Sequence, residues 1–268
     1  MNSNERKMVD ILKELKQEYG LIGIKTEFEA EGARLEELCR LKEVTLKADV
    51  GISLKIGGGE HATGIRMAKV IGVERIVAPM IETAFALSKF VSCAKSNFKE
   101  DELEDVELSV NVETITGYNE FDNMLNSPAF ESLSGVVIGR GDMSFSMGKT
   151  GAFMNSDELR DMTQSVFERT KAKYPNYECV VGGVPNSMSF PFLSGIKPGL
   201  VDAFEARKVI FETPKAFDAK MQDGFIKGLE FELLWYRNKS AFYETISLED
   251  SRKIKMVEEN YKEMLSIR

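Results

Sequence analysis

Two acidic residues each end a short apolar segment in the middle of the chain. Glu113 follows the segment 106–112, and Asp142 follows the glycine- and valine-rich run 135–141. If the two segments are parallel neighbours in a barrel, both carboxylates emerge at the same rim. Carboxylate oxygens without a nearby histidine favour a hard divalent cation, Mg²⁺ or Mn²⁺, over zinc. We therefore predict that Glu113 and Asp142 hold one such ion.

Other ionisable side chains follow the remaining strand-like segments. In chain order they are Glu27, Glu29, Lys55, Glu82, Arg140, Glu205 and Arg207. So many charges at one rim would be costly to bury unless a metal or an anionic ligand compensates them. Lys25 alternates with Ile24 and lies level with Glu27 and Glu29, so we predict an ion pair inside the barrel rather than an amine that reacts with a carbonyl.

The elements that position these residues alternate between strand and helix, which favours a parallel sheet with helical crossovers. Strands are predicted over residues 22–28, 52–56, 75–80, 106–112, 136–138, 178–184 and 201–206. Helices are predicted over residues 5–19, 33–47, 61–71, 83–96, 118–125 and 158–172. The fold class is thus α/β, a TIM-type (β/α)8 barrel. Its eighth strand, normally the first, is expected to be irregular or missing, because residues 5–19 look helical.

The length favours a single domain, since one barrel commonly takes about 250 residues. We expect the barrel core over residues 22–211 and C-terminal helices over 212–268, with helical patterns at 216–238 and 248–267. These two helices are candidates for closing the barrel, for capping it, or for packing against another subunit.

Composition excludes several classes of protein. The net charge is -8 and no basic patch is present, so a nucleic-acid partner is not expected. The three cysteines are isolated, which argues against a disulfide framework or a thiolate zinc site and favours the cytoplasm. No run of about 18 apolar residues occurs, so no membrane span is expected.

Three segments taken together resemble the aldolase/citrate lyase β-subunit family, in the branch that includes 2-oxo-3-deoxy acid aldolases. They are 76–84 (IVAPMIETA), 112–114 (VET) and 138–148 (IGRGDMSFSMG). Their order, spacing and strand-end positions match from about residue 22 to residue 211, which is most of the chain.

This resemblance implies that Glu113 and Asp142 are the two protein ligands of Mg²⁺ or Mn²⁺. The ion would chelate the carboxylate and keto oxygens of pyruvate or a similar 2-oxo acid and, as a Lewis acid, stabilise its enolate. The backbone at Gly141 would border the substrate carboxylate. Relatives are usually homo-oligomers, so the same is expected for this chain.

The chain departs from the family pattern at two positions. Lys55 stands where relatives carry an arginine, and Glu29 aligns with a histidine of the aldolase branch. A lysine supplies charge without the bidentate fork of arginine, and a carboxylate can be a general base if burial raises its pKa. We therefore assign Lys55 to the enolate or the substrate carboxylate, and the proton to Glu29 or, as second choice, Glu27. The remaining substrate-binding candidates are Arg140, Gly141, Glu82 and Arg207.

The function expected is a metal-dependent carbon–carbon lyase or aldolase that acts on a 2-oxo acid and an aldehyde. One alternative is an acyl-CoA or acyl-thioester lyase of the citrate lyase kind, which would share the metal pair. The other is a barrel that has lost turnover and serves in binding or assembly, because the arginine and the histidine of its relatives are replaced.

Overall fold

The computed structural model describes residues 1–184, 186–213 and 221–267. Eight strands form a closed barrel in sequence order. They are β1 (Leu21–Glu27), β2 (Gly51–Lys55), β3 (Arg75–Ala78), β4 (Glu107–Val112), β5 (Gly135–Gly139), β6 (Glu178–Gly182), β7 (Ala203–Ala206) and β8 (Val209–Glu212). Strands β1 to β7 run parallel to one another. The TIM-type barrel and the seven predicted strands are confirmed, with shifts of a few residues at their ends.

The position of the eighth strand was predicted wrongly. It is the last strand of the chain rather than the first. β8 pairs antiparallel with both β7 and β1 and so closes the cylinder. Arg207 and Lys208 form the turn, with Arg207 in the left-handed region at φ 58°. Because this hairpin has no helix between its strands, the alternation of strands and helices gives no sign of β8.

Helices cover the outside of the barrel. They are α1 (Ser3–Tyr19), α2 (Leu35–Ala48), α3 (Ala62–Ile71), α4 (Ala84–Asn97), α5 (Glu100–Leu103), α6 (Ile115–Asn119), α7 (Phe121–Leu125), α8 (Arg140–Ser146), α9 (Asp157–Lys173), α10 (Phe190–Ser194) and α11 (Met221–Ser266). Short 3₁₀ turns occur at Pro128–Ser132, Gly151–Asn155 and Ser187–Ser189. The helix predicted at 118–125 is thus two short helices, α6 and α7. No helix among the described residues is long and apolar enough to cross a membrane.

The limits of α1 are set by a capping residue at its start and a glycine at its end. Asn2 accepts a hydrogen bond from the Glu5 backbone N–H while the Glu5 side chain accepts from the Asn2 N–H, which is a capping box. Gly20 ends the helix in the left-handed conformation, φ 74°. The buried face of α1 packs against α2 and α11 and so joins the two ends of the chain.

The two helices predicted at 216–238 and 248–267 are one helix, α11, of 46 residues. Residues 216–220 lie outside the described residues. Serine, threonine and aromatic residues between 239 and 247 weaken a helix by only a few tenths of a kcal/mol each, and this stretch contains no glycine or proline. The helix therefore continues where the apolar pattern fades.

The barrel interior is filled by alternate residues of the strands, as a period of two requires. A middle layer is apolar and consists of Val77, Val137, Val180, Ala203 and Ile210. Towards the carboxyl ends the same inward positions become polar, with Lys25 and Glu27 on β1, Lys55 on β2 and Asn111 on β4. This change of character along the barrel axis places a polar cavity above an apolar floor.

Candidate active site

A cavity of about 310 Å³ lies at the carboxyl ends of the strands. It contains five carboxylates, two lysines and one arginine, together with small residues that leave space. Its lining residues are Lys25, Glu27, Glu29, Ala30, Lys55, Asn111, Glu113, Val137, Gly139, Arg140, Gly141, Asp142, Gly182, Gly183 and Glu205. The carboxylates outnumber the cations, so the cavity favours a positively charged ligand or ion.

Glu113, directly after β4, is the most enclosed carboxylate of the cavity. Its Oε1 accepts a hydrogen bond from the Met80 N–H at 3.0 Å. Its Oε2 accepts from Asn111 Nδ2 at 2.8 Å and from Lys55 Nζ at 3.3 Å. Burial raises the pKa of Glu113, and the negative charge of Asp142 adds to this rise against the effect of the three donors. Three elements therefore hold one carboxylate in place.

Met80 and Asn111 are site residues that the sequence reasoning missed. Met80 has φ 53°, a conformation that is strained for a residue with a long side chain, and this conformation presents its N–H to Glu113. Asn111 precedes Glu113 by two residues and so points into the same interior. The alternation of β4 could have identified Asn111, whereas no sequence pattern marks the backbone of Met80.

Asp142 lies in the first turn of α8, and its side chain is exposed at the mouth of the cavity. The field of this carboxylate reaches Glu113 and raises the pKa of that residue. The structure thus brings together at one cavity the two acids that the strand ends suggested. Their role as metal ligands stays a prediction.

Lys55 connects two of the acids. Its Nζ lies 2.6 Å from Glu29 Oε2 and 3.3 Å from Glu113 Oε2. Burial alone would lower the pKa of Lys55, but the carboxylates of Glu113 and Glu29 outweigh burial and raise it. The ammonium is therefore charged at neutral pH and fixed inside the cavity.

Lys25 forms the ion pairs that alternation predicted. Its Nζ lies 2.9 Å from Glu27 Oε1 and 2.7 Å from Glu205 Oε2. Burial would lower the pKa of Lys25, yet Glu205 and Glu27 together raise it, so the amine is protonated and not a nucleophile. Burial likewise would raise the pKa of Glu27, but Lys25 lowers it. Glu27 is consequently a weaker base than an unpaired carboxylate, which argues against it as the proton carrier.

The predicted substrate contact of the Arg140 side chain is wrong. The side chain is fully buried and lies over the Phe192 ring, 4.4 Å from its centroid. Its N–H groups donate to Gly182 O, Gly183 O, Met154 O, Asn155 Oδ1 and Ser189 Oγ. Five acceptors use the five donors of a guanidinium, and none is left for a ligand. Burial lowers the pKa of Arg140 to about 10.

Two further candidates lie away from the cavity. Glu82 Oε1 accepts a hydrogen bond from Thr114 Oγ1 at 2.6 Å, and Glu82 is not among the described residues that line the cavity. Arg207 donates to both carboxylate oxygens of Glu232 on α11, with Nη2 2.8 Å from Oε1. The structure therefore does not place either side chain against Glu113 and Asp142. Gly141, in contrast, lines the cavity. Its role beside the substrate carboxylate stays a prediction.

Arg207 belongs to a second cavity, also of about 310 Å³, beside the first. The two cavities share Lys25, Glu27, Gly183 and Glu205. The second is completed by Glu31, Met154, Val184, Arg207, Glu232 and Tyr236. Next to it, Lys208 Nζ lies 2.6 Å from each oxygen of Glu31. The cations of this region are thus already paired with carboxylates of the same chain.

The donor set of the first cavity fits a hard divalent cation. Asn111 Oδ1 is buried and accepts no hydrogen bond from any described residue. It lines the same cavity as Glu113 and Asp142, so a cation there would have an amide oxygen near its carboxylates. No group of three or more His, Cys, Asp or Glu side chains arranged to hold a metal occurs in the described part of the chain. Two carboxylates would leave the other coordination positions to water and substrate.

A closed barrel with carboxylates at the carboxyl ends of its strands is typical of TIM-barrel enzymes. The chain belongs to the HpcH/HpaI aldolase/citrate lyase family, whose model matches residues 39–187, more than half of its length. Members of this family are lyases and aldolases. No curated protein sequence matches the chain significantly.

Three solved structures share the fold. An HpcH/HpaI aldolase from Desulfitobacterium hafniense DCB-2 has 14% identity and a TM-score of 0.61, over 85% of this chain and 88% of that one. The citrate synthase SbnG has 13% identity and a TM-score of 0.57, over 86% and 98%. An HpcH/HpaI aldolase/citrate lyase family protein from Burkholderia cenocepacia J2315 has 13% identity and a TM-score of 0.52, over 73% and 90%. At these identities the likeness concerns the fold alone.

Proposed function

We propose that the protein is a divalent-metal-dependent carbon–carbon lyase or aldolase that acts next to the keto group of a 2-oxo acid such as pyruvate. The observation that carries this proposal is the environment of Glu113. Its carboxylate is buried, held by Met80, Asn111 and Lys55, and raised in pKa beside Asp142. Burying a carboxylate costs free energy unless a positive charge compensates it. A bound cation would supply that charge, and the unpaired amide oxygen of Asn111 is a ligand of the type that hard cations prefer.

Glu113 and Asp142 would hold Mg²⁺ or Mn²⁺, with Asn111 in the lining of the same cavity. When bound, the ion would supply Lewis-acid stabilisation of negative charge on the keto oxygen. The chain itself supplies a second fixed positive charge, because the Lys55 ammonium stays protonated between two carboxylates. A charge that is already in place needs no reorganisation when negative charge develops on the substrate.

Glu29 is the best candidate to move the proton. It lines the cavity, and its Oε2 lies 2.6 Å from Nζ of Lys55, the residue assigned to the enolate. Glu27, the second choice, is bound to Lys25 instead, at 2.9 Å. We propose that Glu29 takes a proton from the methyl group of the 2-oxo acid and returns one in the reverse reaction.

The second cavity would receive the aldehyde. It opens from the first across Lys25 and Glu205, so a carbonyl carbon bound there lies next to the 2-oxo acid. Its carboxylates favour a hydroxyl-bearing neutral or cationic aldehyde over an anionic one, because Arg207 and Lys208 are already neutralised.

The test is exchange of solvent deuterium into the methyl group of pyruvate, which needs no aldehyde. With Mn²⁺ we expect exchange by the wild type, none after chelation, and recovery when Mn²⁺ is restored. Glu113→Gln and Asp142→Asn should each slow exchange by at least about 100-fold. Glu82→Gln, an acid outside the cavity, is the matched control and should exchange normally. Exchange that survives in metal-free protein or in Glu113→Gln would contradict the proposal.

Thermal unfolding and the exchange assay together separate the two alternative functions. An acyl-CoA or acyl-thioester lyase would be stabilised in thermal unfolding by CoA esters rather than by free 2-oxo acids. A barrel that only binds or assembles would take up Mn²⁺ without catalysing exchange.

A further inference from the structure

His61 is the only histidine of the chain, and it lies in the loop between β2 and α3. It directly precedes α3, with φ -75° and ψ 68°. The residue is partly buried, and it is not among the described residues that line the first cavity. Any role of His61 in the reaction must therefore pass through the residues that its ring contacts.

The first contact of the ring holds the loop that follows Lys55. His61 Nδ1 accepts a hydrogen bond from the Gly57 backbone N–H at 3.0 Å, and Gly57 comes two residues after Lys55. The same loop is closed by the His61 N–H, which donates to Gly58 O at 3.1 Å. A nitrogen that accepts a hydrogen bond carries no proton. This geometry therefore requires the neutral imidazole with its hydrogen on Nε2.

The second contact of the ring is with Phe28, directly after β1. The two rings meet edge to face, with 6.0 Å between their centroids and 90° between their planes. Phe28 lies between Glu27 and Glu29 in the chain, and its N–H donates to Lys55 O at 2.9 Å. The imidazole thus contacts both segments that carry the ion pair of Lys55 and Glu29, in which Nζ and Oε2 are 2.6 Å apart.

Two glycines leave the space that the ring occupies. A Cβ built at Gly64 would lie 2.3 Å from His61 Nδ1 and 2.7 Å from Cε1, and one built at Gly57 would lie 3.1 Å from Nδ1. The three nearest atoms to each of these two positions all belong to the imidazole. Gly64 lies inside α3, where glycine is less favourable than alanine. The helix therefore carries an unfavourable residue at the place where the ring packs.

We propose that neutral His61 is a positioning residue, which holds the end of β2 against the end of β1 and thereby fixes Lys55 relative to Glu29. The inference rests on the proposed function, in which Lys55 faces the developing enolate and Glu29 moves the proton. A misplacement of about 1 Å in catalytic groups costs about 100-fold in rate. We therefore expect His61 to act on turnover rather than on binding of the metal.

Acid should release this hold, because a protonated imidazole has no acceptor nitrogen for the Gly57 N–H. Imidazoles gain that proton within the range from about pH 8 to about pH 5. The charged groups on the surrounding segments are bonded to one another. They are Glu29 with Lys55, Glu27 with Lys25, Glu60 with Lys89, and Arg66 with Thr63 and Asn97. The bond to Gly57 is therefore the interaction of the ring that protonation removes.

The first test needs no substrate. Because the chain has one histidine, both imidazole nitrogens can be observed without overlap in protein labelled with ¹⁵N-histidine. At pH 8 we expect the proton on Nε2. The Gly57 amide should exchange with D₂O at least about fivefold more slowly in the wild type than in His61→Phe. A proton on Nδ1, or a Gly57 amide that exchanges equally fast in both proteins, would overturn the proposal.

The second test is deuterium exchange into pyruvate with Mn²⁺. At pH 8, His61→Phe should slow this exchange at least about tenfold with unchanged affinity for Mn²⁺, since it keeps a ring but loses the acceptor. His61→Asn puts an amide oxygen close to the place of Nδ1 and should restore most of the rate and the protection of the Gly57 amide. Full activity of His61→Phe, or no recovery in a folded His61→Asn, would overturn the positioning role.

The dependence on pH separates positioning from packing. Asparagine keeps its acceptor oxygen in acid, whereas the imidazole loses its acceptor nitrogen. The ratio of the His61→Asn rate to the wild-type rate should therefore rise at least about threefold between pH 8 and pH 5.5. A constant ratio would contradict the inference.

Two further variants complete the design. Gly64→Ala favours the helix, but its Cβ would take the place of the ring, so it should slow pyruvate exchange as His61→Phe does while remaining folded in thermal unfolding. Glu60→Gln changes an exposed acid of the same loop and is the matched control, with wild-type behaviour expected. A wild type that does not exchange pyruvate would reject the proposed function, whereas an unprotected Gly57 amide would reject the role of His61.

Discussion

Lys55 Nζ and Glu113 Oε2 lie 3.3 Å apart inside the barrel, at the carboxyl ends of β2 and β4. The lysine thereby occupies the space beside the carboxylate that we assign to the metal. A fixed ammonium so close to a cation site opposes binding of the cation, yet it also adds to the positive charge that a developing enolate meets. The two effects of one residue can be separated by experiment.

Replacing Lys55 by methionine should therefore affect metal binding and turnover differently. We expect Lys55→Met to bind Mn²⁺ as tightly as the wild type or more tightly, because a competing charge is lost, and to slow pyruvate exchange by about 100-fold. Lys55→Arg keeps the charge and should retain part of the exchange rate, although its planar group cannot take the same position. Titration with Mn²⁺ alongside the exchange assay gives both readouts. Loss of Mn²⁺ binding in Lys55→Met would mean that the lysine only holds the site together.

Gly139 leaves the space in which Glu113 lies. A Cβ at residue 139 would lie 2.5 Å from Glu113 Oε2 and 2.6 Å from Glu113 Cβ. We expect Gly139→Ala to displace this carboxylate and to weaken Mn²⁺ binding at least about tenfold, while the barrel still folds. At Gly141 a new Cβ would meet only Met154 Sδ, at 3.8 Å, so Gly141→Ala should bind Mn²⁺ normally. Equal Mn²⁺ affinities of the two variants would show that Glu113 is not a ligand.

Arg140 should behave as a structural residue. Its guanidinium joins β6, the turn at residues 151–155 and Ser189, so these parts depend on its five donors. Arg140→Lys supplies fewer donors and leaves buried carbonyl oxygens unpaired, which should cost about 3 kcal/mol or more of the free energy of unfolding. Chemical denaturation measures this loss. A variant that unfolds like the wild type but shows a raised KM for a substrate would restore the substrate contact that the sequence suggested.

These cases show how far the sequence alone determines the site. Alternating strands and helices, with one acid just after β4 and another just after β5, were enough to predict the barrel and to bring Glu113 and Asp142 to one rim. Arg140 was misassigned because its partners are distant in the chain, and a glycine-rich segment that contains an arginine looks like an anion site. Met80 was missed because its contribution is a backbone N–H in an unusual conformation. β8 was missed because a hairpin breaks the alternation on which the prediction depended.

Glu5 joins both ends of the chain, and its contribution should depend on pH. Arg40 donates to Glu5 Oε1 at 2.9 Å and to Oε2 at 2.7 Å, and Asn238 of α11 donates to Oε1 at 3.3 Å. The Arg40 hydrogen bonds lower the pKa of Glu5 below its ordinary value of 4.5. Stability from the ionised carboxylate is therefore fully present above that value, and it is lost as the pH falls through the folded-state pKa.

We expect Glu5→Gln to lower the free energy of unfolding by about 1–3 kcal/mol at pH 7, and by much less at about pH 3. Glu18→Gln changes an exposed acid of the same helix and should have little effect at either pH. Denaturant unfolding at several pH values measures both variants. If Glu5→Gln loses as much free energy of unfolding in acid as at pH 7, the loss comes from side-chain packing rather than from the charge of Glu5.

On the proposed function, the cavity beside Glu113 and Asp142 should select its aldehyde by charge. Glu31, Glu205 and Glu232 line it, and Arg207 is held by Glu232 at 2.8 Å. We expect a neutral hydroxyaldehyde to exceed a carboxylated aldehyde of equal length by at least about tenfold in kcat/KM, which corresponds to about 1.4 kcal/mol.

The pairing of Arg207 with Glu232 makes this preference reversible by one substitution. Glu232→Gln frees the guanidinium beside the cavity, so the carboxylated aldehyde should gain more than the neutral one, chiefly through a lower KM. Glu230→Gln removes an exposed acid from the same helix and should leave the ratio of the two aldehydes unchanged. Since pyruvate exchange proceeds without aldehyde, it verifies in each variant that the first cavity is intact. If the wild type exchanges pyruvate normally but prefers the carboxylated aldehyde, the charge argument for the second cavity is refuted. The proposed metal site in the first cavity would not be affected by that result.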